Sequence, residues 1–272
     1  IISCKVNNMR KKKIKNDFFK KTFGLIGNKG LSKNPIGKSV KKFLVENSKN
    51  NEVFVNNCRM FLDEKDNMQI SLFDYEPSET ALVKSTVKKD DVVIDVGANI
   101  GYYTLLMAKS DAYVHSYEPE LNNFKLLEKN VFENNLISNV SLYNKAVSNF
   151  EGFSKLYLSN ETTGEHKLNF DRFQNNNFIQ VEVTKINLDK IDFAKIDVEG
   201  EELHVLQGMK QLPNKIMIEF NPEEIKKSGI DFKDFFQFIE KYKIREITKN
   251  GLIEPNFDEL IKNPLAVNLF LF

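Results

Sequence analysis

The sequence predicts an α/β protein built on one mostly parallel sheet with helices on both faces. Three observations carry this. Val92–Val96, Phe193–Val198 and Lys215–Phe220 are short, largely apolar runs, as strands buried on both faces show. Helical patterns follow each of them, and alternation of strand with helix selects a parallel sheet. The first run also ends in Gly97, with Gly101 four residues later, which marks a tight strand-to-helix turn.

The elements follow in chain order. Residues 1–50 hold short apolar clusters, Phe18-Phe19, Phe23–Ile26 and Val40 with Phe43-Leu44, between turn signals at Asn28–Gly30 and Asn34-Pro35. Val53–Asp63 and Met68–Phe73 read as two strands of a hairpin closed by Glu64–Asn67. A helix starts near Pro77, a residue tolerated in a first turn. After strand Val92–Val96 come a helix over 100–109, a strand Tyr113–Glu118, a helix over 120–134 and a strand Val140–Val147. Phe153–Leu158 and Phe178–Val183 read as antiparallel strands, with the polar stretch Ser159–Asn177 between them as a mobile loop. Strand Phe193–Val198, helix 201–210, strand Lys215–Phe220 and helix 231–242 complete the alternation. Arg245–Thr248 and Ala266–Phe272 close it as strands. This divides the chain into a Lys-rich arm (1–50), an entry hairpin and helix (51–90) and the main domain (91–272).

Composition bounds what such a chain can be. Its 272 residues are 41% hydrophobic, enough to bury a core without disulfide or metal staples. No apolar run approaches the ~18 residues of a membrane span, and the start resembles no signal peptide. Cys4 and Cys58 lie far apart without Cys or His neighbours at ligand spacing, which argues against a zinc site or disulfide framework and for a reducing, cytoplasmic setting. The net charge of +1 hides a split: residues 1–50 carry thirteen Lys and one Arg against Asp17 and Glu46, so the remainder is acidic. A basic arm on an acidic domain is the expected organisation.

Ligands of open α/β sheets bind at the carboxyl ends of the strands. There the first strand runs into Asp95-Val96-Gly97-Ala98-Asn99-Ile100-Gly101-Tyr102-Tyr103-Thr104. Gly97 permits the turn, Gly101 a close backbone approach to a ligand, and free N–H groups at the helix start attract an anion. Two glycines at Gly-x-x-x-Gly spacing suit a small carboxylate better than a pyrophosphate. Glu118, 21 residues after Gly97, is placed to accept from ribose hydroxyls.

The same decapeptide, Asp95–Thr104, resembles motif I of the FkbM family of S-adenosylmethionine-dependent methyltransferases. Tyr117-Glu118-Pro119 with Leu127, Asn130 and Asn134, then Asn144–Ser148, then Lys195–Glu202 with Val205-Leu206 and Gly208, fit that family in order, as does the entry Tyr75-Glu76-Pro77. The resemblance covers about residues 70–272 and not the arm. It implies a Rossmann-like class I methyltransferase fold, a seven-stranded sheet with a reversed final strand, and mostly O-methylation of sugars or other small molecules. It also implies that S-adenosylmethionine is held by Asp95, Gly97, Ala98, Asn99, Gly101, Tyr103, Thr104, Glu118, Pro119, Asn130 and Ala146.

Lys195, Asp197 and Glu199 alternate along the fourth strand and so point to one side of it. A hydroxyl acceptor is a weak nucleophile until it loses its proton, and a positioned carboxylate can take it. Asp197 is the first choice of base and Glu199 the second; Lys195 either serves the site or simply pairs with Asp197. Glu219 lines the acceptor pocket or, with Asp197, offers oxygen ligands to a cation; two carboxylates do not establish a metal site, and none is assigned. Glu201 reads as helix N-terminal charge and His204 as a surface residue, while His115 and His166 have no visible partner.

A small-molecule or glycan O-methyltransferase is the leading reading. The alternative is an RNA (tRNA) methyltransferase whose basic arm binds nucleic acid; Glu118–Asn122 and Asn134-Asn135 also resemble archaeal tRNA guanosine methyltransferases, but Asn221-Pro222-Glu223 is no amino-methylation motif. A non-catalytic anchor is the third. Lysines interleaved with Phe, Leu and Ile fit a peripheral membrane contact through residues 1–50 better than base reading.

Overall fold

The computed structural model describes residues 51–64, 66–158, 166–168, 177–263 and 265–272. The clusters expected within 1–50 and most of the expected loop Ser159–Asn177 lie outside the described residues. The described chain groups into two units, divided between Glu76 and Pro77.

In the first unit, β1 (Glu52–Val55) and β2 (Cys58–Phe61) pair antiparallel, with Val53 opposite Met60. The hairpin therefore closes inside the run expected to be one strand. Asn56 and Asn57 both take left-handed conformations (φ 49° and 60°), the backbone of a two-residue hairpin turn, which Asn tolerates. Met68–Phe73 is not a strand. The buried Asp66 carboxylate accepts from the amides of Ile70 and Ser71 at 3.0 and 3.1 Å and curls the segment into turns.

The second unit opens with α1 (Pro77–Thr86), as expected, and then alternates: β3 (Val92–Val96), α2 (Tyr102–Ala108), β4 (Tyr113–Tyr117), α3 (Leu121–Glu133), β5 (Val140–Tyr143). Helix α3 begins where the Glu120 side chain caps the Asn123 amide at 2.8 Å. Beyond an insert come β10 (Phe193–Ile196), α4 (Glu202–Gln207), β11 (Ile216–Phe220), α5 (Pro222–Lys227), α6 (Phe232–Ile239), β12 (Ile244–Thr248), β13 (Gly251–Ile253), α7 (Phe257–Leu260) and β14 (Val267–Leu271). The main sheet has the order β13-β12-β14-β11-β10-β3-β4-β5. The strands from β11 to β5 are parallel and β14 runs antiparallel to β11, the expected reversed final strand. The fold class is Rossmann-like, with eight strands rather than seven. The eighth, β13, is an edge strand folded back on β12 by the turn at Lys249-Asn250, too short and exposed to register as a strand in the sequence.

The insert forms a second sheet, β6-β9-β7-β8, from Ala146–Val147, Phe178–Thr184, Gly152–Tyr157 and Lys167–Leu168. Val140–Val147, expected as one strand, is thus split between two sheets. Asn144 makes the break: its side-chain amide donates to the carbonyls of Glu118 and Pro119 at 2.8 and 3.0 Å, turning the chain away from β5. Phe193, Phe220 and Phe235 are fully buried in the main core, each contributing roughly 1.5–3 kcal/mol.

Candidate active site at the switch point of the sheet

Strand order reverses between β3 and β10, so the loops after these two strands diverge and leave a crevice at their carboxyl ends. Lys195 lies beside Asp95 in the β10–β3 register, and Ile196 pairs with Ile218 of β11. Asp197 and Glu219 each follow those paired residues directly, which sets them side by side.

Lys195 is only 7% exposed and organises this end of the sheet. Its ammonium donates to Asp197 Oδ2 at 3.0 Å and to the Gly97 carbonyl at 3.3 Å, tying the two loops together. The Lys195–Asp197 pair anticipated as one of two readings is therefore formed. Strand β10 stops at Ile196, so Asp197 and Glu199 reach the site from the following turn rather than by strand alternation, with Glu199 in a left-handed conformation (φ 59°). Asp197, Glu199 and Glu219 nonetheless bring carboxylate oxygens within 4.8 Å of one another. Burial, then the charges of Asp197, Glu199 and Glu202, raise the Glu219 carboxyl well above the usual range, with Lys195 opposing.

At the other end, Glu118 is 5% exposed. Its two oxygens accept from the amides of Asn99 and Glu120, each at 2.8 Å. Burial still pushes its carboxyl up to about 7. Tyr117 and Tyr143 stack beside it at 4.6 Å between ring centres, and His115 Nδ1 lies 3.3 Å from the Tyr143 hydroxyl, so His115 does have a partner.

A family model described as the methyltransferase FkbM domain matches residues 95–246, more than half of the chain. The chain belongs to the FkbM methyltransferase family. Its cofactor is S-adenosylmethionine. The hexuronic acid methyltransferase AglP of Haloferax volcanii is 29% identical over 175 residues, spanning 62% of this chain and 70% of that protein. Methyltransferase 1 of Beauveria bassiana is 25% identical over 146 residues, 44% of this chain and 59% of its own length. A solved structure of Pyrococcus horikoshii TYW2 with MeSAdo aligns over 81% of this chain and 69% of that one, at 16% identity and a TM-score of 0.43.

In this FkbM methyltransferase the residues expected around the cofactor divide into two groups. Glu118 and the loop Gly97–Gly101, joined by the Asn99 amide, stand at the carboxyl ends of β4 and β3 and make up the wall expected to face the cofactor. The others act beneath that wall. Asp95 is completely buried and accepts from the Thr104 hydroxyl at 2.6 Å, and Thr104 meets Ser116 at 2.8 Å. Asn130 donates to the Ile100 carbonyl at 2.8 Å and clamps the loop to α3. Tyr103 is buried on α2 against Tyr102, with the Lys195 ammonium 5.6 Å from its ring centre. Ala146 packs in the core of the insert sheet, and Pro119 is half-buried. Gly101 keeps its backbone close to the Leu127 side chain, where a Cβ would come within 2.6 Å. The amides of Gly97, Ala98, Asn99 and Gly101 are all spent on protein acceptors, so they are not the free anion donors expected.

The wall still fits S-adenosylmethionine. Each Glu118 oxygen keeps a lone pair, and a carboxylate buried this deeply gains from further donors such as ribose hydroxyls. Buried Asn99 Oδ1 has no donor among the described residues and is an acceptor free for an ammonium group.

Glu202 was not singled out by sequence reasoning. It is 1% exposed; its Oε1 accepts from the amides of Val198 and Gly200 at 3.2 and 3.1 Å, and burial pushes its carboxyl up to about 7. Its place beside Glu201 at a helix start, where acidic residues are common, concealed it. Glu201 instead bonds His204 Nδ1 at 2.7 Å, so His204 is half-buried and paired rather than a free surface residue.

Proposed function

We propose that this enzyme methylates an oxygen of a sugar, a glycan or a comparable small molecule. The observation that carries the reading is the cluster of Asp197, Glu199 and Glu219 at the strand ends next to the motif I loop. S-adenosylmethionine supplies an electrophilic methyl group on a sulfonium. Glu118 and Asn99 hold it, and the Lys195 bond to the Gly97 carbonyl fixes the methyl-facing loop against the acceptor-facing one. Asp197, 30% exposed in its side chain and oriented by Lys195, takes the proton of the acceptor hydroxyl. Glu199 is the second candidate for that step, and Glu219 lines the acceptor pocket. Holding hydroxyl and methyl in line supplies much of the remaining acceleration. The name of the H. volcanii relative supports a sugar-derived acceptor.

No helix among the described residues is long and apolar enough to cross a membrane. The reading places the enzyme in the cytoplasm, with residues 1–50 as a basic arm for peripheral membrane contact. The deciding experiment supplies methyl-labelled S-adenosylmethionine with two acceptor pools, total RNA and a cell-surface glycan or lipid-linked fraction. Label in the glycan or lipid pool is expected. Label confined to RNA would replace this reading with the nucleic-acid one.

A further inference from the structure

The acceptor end of the crevice holds more negative charge than its proposed chemistry needs. One proton acceptor suffices for methylation of a hydroxyl. Asp197, Glu199 and Glu219 nevertheless converge, with one oxygen from each within 4.8 Å of the others. A fourth carboxylate stands behind them: Glu202 acts electrostatically on Glu219 and is itself acted on by Asp197. Lys195 is the cation that Glu219 experiences, and its ammonium is already committed to Asp197 and the Gly97 carbonyl.

An independent feature points to a missing partner. Two buried carboxylate oxygens at this end, Glu219 Oε2 and Glu202 Oε2, have no donor among the described residues. Glu202 is 1% exposed, so water does not readily serve its oxygen. Orphaned buried acceptors carry the full cost of desolvation.

We infer that Asp197, Glu199 and Glu219 form a site for a hard divalent cation of the Mg²⁺ or Mn²⁺ class. The donors are all oxygen, which suits such ions and not zinc or copper. Oxygens bound to one cation at ~2.0–2.6 Å lie up to ~5 Å apart, and the three here lie within 4.8 Å of one another. Strand β11 supplies Glu219, the first residue after β10 supplies Asp197 beside it, and Glu199, left-handed in the same turn, adds the third ligand. Glu202 lends charge from behind.

For the acceptor, the consequence rests on the sugar reading above. A pocket lined by these carboxylates repels an anionic sugar acid, whereas a seated cation attracts it. Two neighbouring sugar oxygens can then share the cation, which fixes which hydroxyl faces the methyl group.

Cation binding is tested without methyl transfer. The full chain is titrated with Mn²⁺ at pH 7.5, and loss of the free-ion electron paramagnetic resonance signal is followed. One Mn²⁺ per chain should be taken up and be displaced by Mg²⁺. Glu219→Gln and Asp197→Asn should each weaken uptake at least tenfold while the far-ultraviolet circular dichroism is unchanged. Glu199→Gln, in the turn, replaces either variant if it fails to fold. No uptake up to millimolar Mn²⁺, or uptake indifferent to these substitutions, overturns the site. Mn²⁺ uptake with no label in any glycan pool would sink the sugar reading and leave the cation site standing. Glycan labelling that chelators leave untouched, with no uptake, does the reverse.

Discussion

Glu118 has an unfavourable environment in the ligand-free protein, one that further donors from a bound cofactor would relieve. Its carboxyl is pushed up to about 7 by burial, although two amides already donate to it. Glu202 is pushed up to about 7 for the same first cause. In the unfolded chain both ionise near 4.5. Between these values the folded protein binds more protons, so stability is greatest at the acid end and declines as pH rises through about 7. At ~1.4 kcal/mol per pKa unit, each group contributes up to ~3 kcal/mol of this decline. Asp95 and Glu219, raised by burial, and His204, raised by Glu201, act with the same sign. The ligand-free protein should therefore melt at a lower temperature at pH 8 than at pH 5.5. A flat profile, or the opposite slope, would contradict the burial argument. Glu118→Ala should weaken S-adenosylmethionine binding by about 1.5–3 kcal/mol, the range for hydrogen bonds to a charged group; calorimetry with unchanged affinity would remove Glu118 from the site. Asp197→Asn should abolish turnover with cofactor affinity near wild type. Full activity in that variant would transfer the proton-accepting role to Glu199. At this scale the sequence was a good guide to which residues gather and a poor one to what each touches. Asp95, Thr104 and Asn130 sit in the right motif, yet they bond one another's elements, because a short loop over a crevice must be held from below.

At the scale of elements, β3, β10, β11 and their helices were legible because these strands are short, largely apolar runs with helical patterns after them, and β4, despite its polar His115 and Ser116, because it falls between two such helices. The misread elements lie where a side chain, not a pattern, decides the path. Asn56-Asn57 folds the entry hairpin early, Asp66 coils the segment expected to be its second strand, and Asn144 diverts the chain from β5 into the insert sheet. Helix α5 escaped notice because it is one short segment after Asn221-Pro222, though Asn221 is its cap and Pro222 its first residue. The glycines of this domain make a direct test. Gly97 has φ 78°, and a Cβ there would lie 1.9 Å from the Asp197 carbonyl oxygen, at the point where the two site loops touch. Gly251 also has positive φ, 106°, but a Cβ there meets nothing within 4 Å. Gly251→Ala should cost only the backbone strain, about 1–2 kcal/mol. Gly97→Ala adds a backbone clash and should cost clearly more, with loss of cofactor binding. Equal urea midpoints for the two variants would show that the β3 and β10 loops are not locked together.

On the scale of the whole molecule, charge is divided along the chain rather than balanced within it. Residues 1–50 hold thirteen Lys and one Arg against two acids, while the rest of this chain of net charge +1 is acidic. Each basic residue near an anionic leaflet contributes about 1 kcal/mol, screened by salt. Arginine, the residue that reads bases by paired hydrogen bonds, occurs once in the arm, whereas Phe18-Phe19 and Phe23–Ile26 supply apolar groups able to enter a membrane interface. An acceptor built on a lipid carrier would be met at that surface, so an enzyme held there gains local substrate concentration. The full chain should pellet with anionic but not with neutral vesicles, and the association should fade at high salt. Removal of residues 1–50 should leave the protein in the supernatant, because the FkbM domain that remains is acidic and is itself repelled by the leaflet. Equal pelleting of the shortened chain would place the contact elsewhere. If RNA displaces the full chain at concentrations far below those of the lipid, the arm serves nucleic acid and the acceptor must be sought there.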